Sequence, residues 1–291
     1  MTRMIPLCVT LLAHSMFAAV NYSYDDAGRL SRVDYGPNGS IDYSYDKSGN
    51  LVSKVMHGPE SAPSVITSVS TMGGGAEIAQ NSWIEIRGSH LVPIGTSASG
   101  VSWSGSGELP SRLRGVSVTV NGKPAPVSFY CSGIVRGSIC ALDEIRVLTP
   151  LDDAVGPVQV IVKNGSLTSA PFTVAKNAVA PALLHARAGY VAVHSSGAAG
   201  DASAAQRSSA GPVKPGEAVV IYGTGFGMVA TLPACIVGGH PAKVDSAALI
   251  SPGVARIRLT VPAKVTAGDN DVRCTVGGVS TPDGSRIRVS E

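Results

Sequence analysis

The sequence has 291 residues, which is long enough for two or three domains that each bury a hydrophobic core. Its 34 glycines and 19 prolines, with only 15% charged residues, are typical of a turn-rich β protein. The formal net charge is +3 and no dense lysine or arginine patch occurs, so we expect no nucleic-acid partner. No run of about eighteen apolar residues occurs beyond the N-terminus, and we expect no membrane span.

The N-terminus has the features of an export signal. Arg3 provides a positive start, residues 5–17 form a short apolar core, and Ala18 and Ala19 are small residues near a cleavage point. We therefore predict that residues 1–19 are a signal peptide and that the protein is secreted or located at the cell surface. A buried N-terminal strand is the alternative interpretation.

The cysteines agree with export. Removal of the signal would also remove Cys8 and leave four cysteines, namely Cys131, Cys140, Cys235 and Cys274. An even number in an exported chain suggests two disulfides, and four cysteines permit three pairings. No Cys-x-x-Cys spacing occurs, and the histidines show no pair at metal-ligand spacing. We therefore predict no metal site and no cofactor.

Residues 20–56 contain a tandem repeat in which the segment Tyr-Ser-Tyr-Asp-x-x-Gly-x-Leu begins at Tyr22 and again at Tyr43. Each copy predicts a short hairpin with two tyrosines on one face, Tyr22 with Tyr24 and Tyr43 with Tyr45. The segment resembles the YD repeat of the RHS family, in which many copies coil into a β shell around a cargo. Two copies cannot enclose a cargo, so we interpret them as a remnant or a short cap. The tyrosine faces are a candidate sugar platform, and stacking between repeats is the favoured alternative.

Residues 57–64 are a Pro/Ser linker, and a first β domain follows over residues 65–176. Val116, Val118 and Val120 alternate with polar residues, which predicts a strand that is buried on one face. Asn121-Gly122 then favours a tight hairpin turn. A strand is also predicted over residues 82–88, where Trp83 is expected to lie in the core of this domain.

Residues 177–291 repeat the order of the first domain. The strand 84–88 corresponds to 219–223, and Ile145 with Pro150 and Gly156 corresponds to Ile257 with Pro262 and Gly268. Residues 195–210 are an Ala/Ser/Gly loop. Short strands separated by Gly, Pro and Asn turns favour antiparallel sandwiches, so we predict an all-β chain with two tandem immunoglobulin-like sandwiches behind the YD hairpins.

The runs LPSRLRGVSVTVNGKPAPV, KPGEAVVIYGTGFG and VTAGDNDVRCTVGGVST resemble a family of C-terminal domains of exported bacterial proteins. That family has paired immunoglobulin-like modules similar to IPT/TIG domains, so the resemblance implies a fold and an exported location, but no activity. One departure is the segment 143–148, Asp-Glu-Ile-Arg-Val-Leu, where the family usually has a polar Gln-Ile-Asn segment.

Alignment of the two domains selects a disulfide pairing. It places Cys235 opposite Val118 and Cys274 opposite Val162, and both valines are at predicted core positions. We therefore predict a bond between Cys235 and Cys274 where the first domain has a valine contact. Cys131 and Cys140 then pair locally.

Other motifs have a simpler structural explanation. The glycines of residues 223–227 suggest a phosphate loop, but a β hairpin follows instead of a helix, so we predict a bulged turn. Residues 152–153 and 269–271 are acidic and are interpreted as turns in preference to calcium ligands. Trp103, in a Ser/Gly-rich loop, is the best candidate for an exposed aromatic contact.

These observations favour a non-catalytic secreted or cell-surface structural or adhesion module, because no set of acid, base or metal-binding residues is indicated. We do not expect an enzyme. The first alternative is a carbohydrate-binding accessory module that uses the tyrosine faces and Trp103. The second is a truncated piece of an RHS-type protein. An extracellular polysaccharide or a surface protein is the expected partner.

Overall fold

The computed structural model describes residues 20–36, 39–57, 63–105, 107–187, 189–191, 193–195, 212–227 and 231–291. These residues form strands, turns and loops without an α-helix, which confirms the predicted all-β class. The proposed signal peptide, most of the proposed linker and most of the loop at 195–210 lie outside the described residues. In the described part of the chain, no helix is long and apolar enough to cross a membrane.

The chain divides into two compact units, Met1–Ala62 and Pro63–Glu291. The first unit contains one antiparallel sheet of four strands in the order β1-β2-β3-β4. The strands are β1 (Asn21–Tyr24), β2 (Leu30–Asp34), β3 (Ser40–Tyr45) and β4 (Leu51–His57).

Each copy of the YD repeat is a hairpin whose turn is held by its aspartate. Asp25 Oδ1 accepts hydrogen bonds from the backbone N–H groups of Ala27 and Arg29, at 3.0 and 2.8 Å. Gly28 closes the turn with a φ of 75°, a conformation that favours glycine. Asp46 and Gly49 repeat this arrangement in the second hairpin, as the spacing of the motif predicts.

The second unit begins with a sandwich of two sheets. One sheet has the order β5-β7-β13-β12-β8; the other has β11-β10-β14-β16-β6, with β9 and β15 paired at its side. The strands are β5 (Val65–Thr71), β6 (Ile78–Ala79), β7 (Trp83–Ser89), β8 (Val101–Ser102), β9 (Arg112–Leu113), β10 (Val116–Val120), β11 (Lys123–Ala125), β12 (Val127–Cys131), β13 (Asp143–Leu148), β14 (Gly156–Asn164), β15 (Leu167–Thr168) and β16 (Phe172–Asn177).

The core of this first sandwich is built by alternation along the strands. Val116, Val118 and Val120 of β10 are buried, and Val118 lies directly opposite Val162 of β14. The turn that follows β10 has positive φ angles at Asn121 and Gly122, 51° and 75°, as the Asn-Gly pair predicts.

The second sandwich follows the same order with one continuous sheet, β17-β21-β24-β23-β22-β25-β27-β19-β18, in which β20 and β26 pair at the side. Its long strand β23 belongs to both faces, since it pairs with β22 at one end and with β24 at the other. The strands are β17 (Ala182–Leu183), β18 (His185–Arg187), β19 (Tyr190–Val191), β20 (Val193–Ser195), β21 (Ala218–Thr224), β22 (Ala234–Val237), β23 (His240–Ser251), β24 (Val254–Thr260), β25 (Gly268–Val276), β26 (Val279–Ser280) and β27 (Arg286–Val289).

Each sandwich contains one disulfide bond. Cys235 of β22 lies opposite Cys274 of β25 and is bonded to it, with 4.1 Å between the Cα atoms. Cys131 and Cys140 are bonded across the loop after β12, with 6.2 Å between the Cα atoms. The pairing predicted from the internal alignment is therefore the pairing in the structure.

Candidate functional site

The two sandwiches meet at Trp83, and its predicted place in the core of the first sandwich is wrong. Ile84 and Ile86 fill that core, and the side chain of Trp83 therefore lies on the opposite face of β7. There it packs against an apolar cluster of the second sandwich that contains Val220 and Val254. The position follows from strand alternation, because neighbouring residues of a strand face opposite sides.

Hydrogen bonds fix this junction. The backbone N–H of Trp83 donates to Thr224 Oγ1 at 2.7 Å, and its indole Nε1–H donates to the carbonyl oxygen of Pro252 at 3.1 Å. Gly253 allows the close approach, since a Cβ atom there would lie 2.5 Å from Leu148 Cδ1 and 2.9 Å from Trp83 Cδ1. The tight packing shows that the second unit has a defined junction between its sandwiches.

A groove of about 960 Å³ lies beside the junction. Its floor is the outer face of strands β7, β12 and β13, and residues 184–186 of the second sandwich line its far side. This volume is within the usual range for ligand sites, which is about 300–1,000 Å³. The groove is therefore a candidate binding site.

Three charged side chains on the floor of the groove, Glu85, Arg87 and Arg146, form a charge-compensated network with the buried Glu144. Glu85 and Arg87 of β7 lie opposite Arg146 and Glu144 of β13. Arg87 binds both carboxylates, with Nη2 at 2.8 Å from Glu85 Oε2 and Nε at 3.1 Å from Glu144 Oε2. Arg146 Nη2 lies 2.8 Å from Glu144 Oε1 and its Nε lies 3.6 Å from Glu85 Oε1. Two acidic and two basic groups leave no net charge.

Burial raises the pKa of Glu85, and repulsion from Glu144 raises it further, while Arg146 and Arg87 oppose the change. A carboxylate in such a position accepts hydrogen bonds from a ligand with little competition from bulk water. The network therefore offers fixed donors and acceptors on a neutral floor.

Phe129 is a half-buried residue of the groove whose ring contacts Arg146 and lies close to Gly100. The guanidinium of Arg146 lies over it, with Cζ 4.8 Å from the ring centroid. A Cβ at Gly100 would lie only 2.6 Å from the ring atoms Cε2 and Cζ. The ring of Phe129 thus supports the guanidinium of Arg146 on the floor of the groove.

Trp103 has a different environment at the edge of the groove. Its backbone N–H donates to the carbonyl of Ser128 at 2.8 Å, which places it beside β12. Its ring lies on the backbone of Gly105, since a Cβ there would be 2.0 Å from Cζ2. The residue is 36% exposed, so the ring combines a supported side with an accessible side.

His185 lies at the end of the groove that belongs to the second sandwich. Its Nε2 lies 2.9 Å from Ser285 Oγ, and burial lowers the pKa of the imidazole. Ser285 is only 2% exposed, which leaves its hydroxyl little access to a substrate. We therefore assign this pair to packing at the base of β18.

The four tyrosines of the YD repeats differ in exposure. Tyr22 and Tyr24 are 59% and 62% exposed. Tyr45 is half-buried; its hydroxyl donates to the carbonyl of Leu30 at 3.0 Å, and Arg29 lies over its ring. Tyr43 is also half-buried, with Lys54 Nζ at 5.9 Å from its ring centroid. The second pair therefore takes part in packing within the sheet, while the first pair is open to solvent.

The acidic turns are neutralised by the chain itself. Asp152 accepts a hydrogen bond from Asn121 Nδ2 at 2.7 Å and pairs with Lys123 at 3.2 Å. These contacts, together with the N–H of Ala154, lower its pKa to about 2. Asp269 is held in the same way by Arg288 Nε at 2.9 Å. Both sites function as ion-paired turns in the structure.

Within the described residues, one group of three potential metal ligands lies close together, Cys131, Cys140 and Glu144. Its two cysteines are joined in the disulfide, so their sulfur atoms are not available as thiolate ligands.

Trp103 is predicted from the sequence as an aromatic contact, whereas the charged network is not. The signal is present in the sequence as two copies of Glu-Ile-Arg, at residues 85–87 and 144–146. Antiparallel pairing of two such segments places each glutamate opposite an arginine on one face of a sheet. The second copy lies in the segment that departs from the resembled family.

The fold defines a protein of tandem immunoglobulin-like β-sandwiches. The RHS Repeat family model matches residues 24–58. No curated protein matches the sequence significantly.

Three solved structures illustrate the similarity. The SGBP-B protein of the Bacteroides ovatus mixed-linkage glucan utilization locus, in complex with a heptasaccharide, is 10% identical over 89% of this chain, with a TM-score of 0.33. This chain covers 53% of that one, about half its length. Domains 5–6 of the S-layer protein SbsC are 12% identical over 78% of this chain and 99% of theirs, with a TM-score of 0.29. The Yersinia pseudotuberculosis adhesin InvE is 9% identical over 78% of this chain and 58% of its own, with a TM-score of 0.21.

Proposed function

We propose that this chain is a non-catalytic module of an exported protein and that it serves at the cell surface as a structural or adhesion element. The observation that carries the proposal is the presence of a disulfide bond in each sandwich, at Cys131–Cys140 and Cys235–Cys274. Disulfides persist in oxidising compartments outside the cytoplasm and are rare inside it. The junction at Trp83 supports a structural role, because it holds two sandwiches in a defined tandem.

Expression of the full chain with its own N-terminus in a bacterial host tests the location. We expect the protein to accumulate outside the cytoplasm, with four cysteines that react with a maleimide only after reduction. A Leu11→Asp variant interrupts the apolar run of the proposed signal and should keep the protein inside. Cytoplasmic accumulation of the original chain with reduced cysteines would contradict the proposal.

A second candidate function is carbohydrate binding in the groove, and Trp103 is the observation that favours it. Sugar rings stack on exposed aromatic faces, and Trp103 is held by Gly105 with one side accessible. The charged network below it offers carboxylate acceptors and guanidinium donors at fixed positions. Since this network has no net charge, an uncharged polysaccharide suits it better than an acidic one.

Affinity electrophoresis through gels that contain neutral or uronic-acid polysaccharides tests this function. We expect retardation by a neutral polysaccharide and a loss of affinity of about tenfold in Trp103→Ala, which corresponds to about 1.4 kcal/mol. Gly105→Ala should give a similar loss because it displaces the ring. Gly107→Ala is the matched control in the same loop, since a Cβ there meets no atom within 4 Å.

Equal mobility of all variants in every gel would remove the groove from consideration. Retardation that survives Trp103→Ala but is lost in Tyr22→Ala would instead assign binding to the tyrosine face of the YD repeats, where Tyr22 and Tyr24 are exposed.

The RHS Repeat match at residues 24–58 supports the further alternative that this chain is a truncated piece of an RHS-type protein. Sequencing of the neighbouring DNA checks it. Additional YD repeats in the same reading frame would favour this alternative over an independent surface module.

A further inference from the structure

The two YD repeats make a specific contact with each other. Strand β2 of the first repeat pairs with β3 of the second, and the register places Arg32 opposite Asp42 and Val33 opposite Ile41. Val33 and Ile41 are buried, and in the described part of this unit they are the only buried apolar residues. The pairing of β2 with β3 is thus the main packing contact of the sheet.

Side chains reinforce the contact between the repeats. The hydroxyl of Tyr45, in the second repeat, donates to the carbonyl oxygen of Leu30 in the first. Arg29 of the first repeat lies over the ring of Tyr45 at 4.7 Å and donates to the carbonyl of Asp46 at 3.1 Å. Each repeat therefore has two different edges. At one edge the carbonyl of its leucine accepts a hydrogen bond, and at the other the hydroxyl of its second tyrosine donates one.

The same two edges are open at the ends of the sheet. Tyr24 holds the place in the first repeat that Tyr45 holds in the second, and Leu51 corresponds in the same way to Leu30. Tyr24 is 62% exposed and Leu51 is 53% exposed. Among the described residues, β1 pairs only with β2 and β4 pairs only with β3.

Strand β4 carries more exposed apolar surface than is usual for a free edge. Val52, Val55 and Met56 are 66%, 46% and 55% exposed. An edge strand with such residues is a template for pairing with another strand. Repeat units of this kind depend on a neighbour to cover their apolar surface.

We propose that a second copy of this chain occupies these edges, so that β4 of one copy pairs antiparallel with β1 of the next. The register observed between β2 and β3 transfers directly to this contact. It places Ser53 opposite Asn21 and Lys54 opposite Val20 of the next copy, as Arg32 lies opposite Asp42 and Val33 opposite Ile41, and it brings the hydroxyl of Tyr24 to the carbonyl of Leu51. The two edges are different surfaces, so the association is head to tail and continues beyond a dimer unless it closes into a ring.

Sedimentation velocity of the full chain over a wide concentration range tests the proposal. We expect the average mass to rise with concentration and to exceed that of a dimer at the highest concentrations. A protein that remains monomeric throughout would overturn it.

Two charge variants define the edges. Tyr24→Asp introduces a charge at the β1 edge and Leu51→Asp introduces one at the β4 edge, so each alone should remain monomeric. An equimolar mixture should form a one-to-one dimer and nothing larger, because Leu51→Asp keeps an intact β1 edge and Tyr24→Asp keeps an intact β4 edge.

The mixture distinguishes this arrangement from symmetric pairing. If β4 paired with β4, Tyr24→Asp alone would still associate and the mixture would gain nothing, which contradicts the proposal. Leu151→Asp is the matched control, since Leu151 lies in the first sandwich and is 69% exposed. It should associate like the original chain, and circular dichroism should show that all variants are folded.

Discussion

The two sandwiches of the second unit share one strand order but close their sheets differently. In the first sandwich, β11 and β12 are separate strands that lie in different sheets. In the second, the corresponding residues form the single strand β23, which runs from one face to the other. The difference lies in how the chain passes between the two sheets.

A proline accounts for part of this difference. Pro126 separates β11 from β12, and alignment of the two domains places Lys243, inside β23, at the same position. Proline has no N–H group to donate to a sheet, so it interrupts a strand that lysine can continue. The exchange of proline for lysine at this position therefore favours a continuous strand in the second sandwich.

The cores of the two sandwiches are stabilised by different side chains at corresponding positions. The pair Val118–Val162 in the first sandwich corresponds to the disulfide Cys235–Cys274 in the second. The ladders also place Lys176, almost fully buried, where the second sandwich has Val289. The same topology thus has a disulfide in one sandwich where the other has a valine pair, and a buried lysine in one where the other has a valine. The effect of each difference on stability can be measured.

The largest effect is expected from the double variant Cys235→Val, Cys274→Val, which gives the second sandwich the valine pair of the first. The bond closes a sequence separation of 39 residues. Its loss should lower the free energy of unfolding by about 4 kcal/mol through the entropy of the unfolded chain. In calorimetry the second sandwich should melt roughly 10–20 °C lower.

The reverse exchange is the control. Val118→Cys with Val162→Cys should raise the melting temperature of the first sandwich under oxidising conditions and leave it unchanged in reductant. Equal stability of the original and the valine variant would show that the disulfide adds nothing to the packing that surrounds it.

Lys176→Met comes next, because the first sandwich depends on this buried ammonium. Nζ donates to the carbonyl oxygen of Asp152 and, at 2.6 Å, to that of Ala154. Its removal leaves two carbonyl acceptors without their partner and takes away one of the cations near the Asp152 carboxylate, at a cost of about 2–3 kcal/mol. Urea unfolding measures it, and Lys163→Met on an exposed position of β14 should change stability little.

An effect of at most the same size is expected from Cys131→Ala with Cys140→Ala, and it is smaller than that of removing the bond Cys235–Cys274. This bond spans a separation of only 9 residues, so its entropic contribution is smaller, about 2–3 kcal/mol at most. The second sandwich needs no such bond, because only Pro252 and Gly253 separate β23 from β24. We expect faster tryptic cleavage at Arg136 in the variant; an unchanged rate would show that the loop is ordered without its bond.

The smallest effect concerns pH. The side chain of Asn121, with Ala154 and Lys123, holds the pKa of Asp152 at about 2, below the ordinary value for an aspartate. A lowered pKa stabilises the folded state above the unfolded pKa, near 4, and this contribution is lost as the pH falls toward 2. Lys264 holds the corresponding position in the second sandwich, so the contribution of this particular position should be confined to the first.

Thermal melts of Asp152→Asn against the original chain at several pH values check this. The variant should be less stable at neutral pH, and the difference should vanish near pH 2. A difference that is independent of pH would mean that Asp152 acts through its shape and not through its charge.

Local sequence patterns predicted much of the fold. The alternating valines and Asn121-Gly122 predicted a hairpin that the structure confirms, because both signals depend on neighbouring residues. Comparison of the two domains predicted the disulfides, since a pair in register in one copy is in register in the other.

Features that depend on packing between distant segments of the chain could not be predicted from the sequence. Trp83 resembles any aromatic residue of a strand, and only the position of the second sandwich shows that it lies at a junction. Lys176 follows Val174 in an inward-facing pattern, but its carbonyl partners come from a loop more than twenty residues earlier. The groove needs both sandwiches, so no single segment could reveal it.

The placement of the tryptophans has a practical consequence. The chain has two, and one lies at the junction while the other lies at the edge of the groove. In a Trp103→Phe variant, the emission spectrum comes from Trp83 alone and reports on the docking of the sandwiches. A red shift in denaturant that precedes the loss of the β-sheet signal would reveal an intermediate in which both sandwiches remain folded after they have come apart.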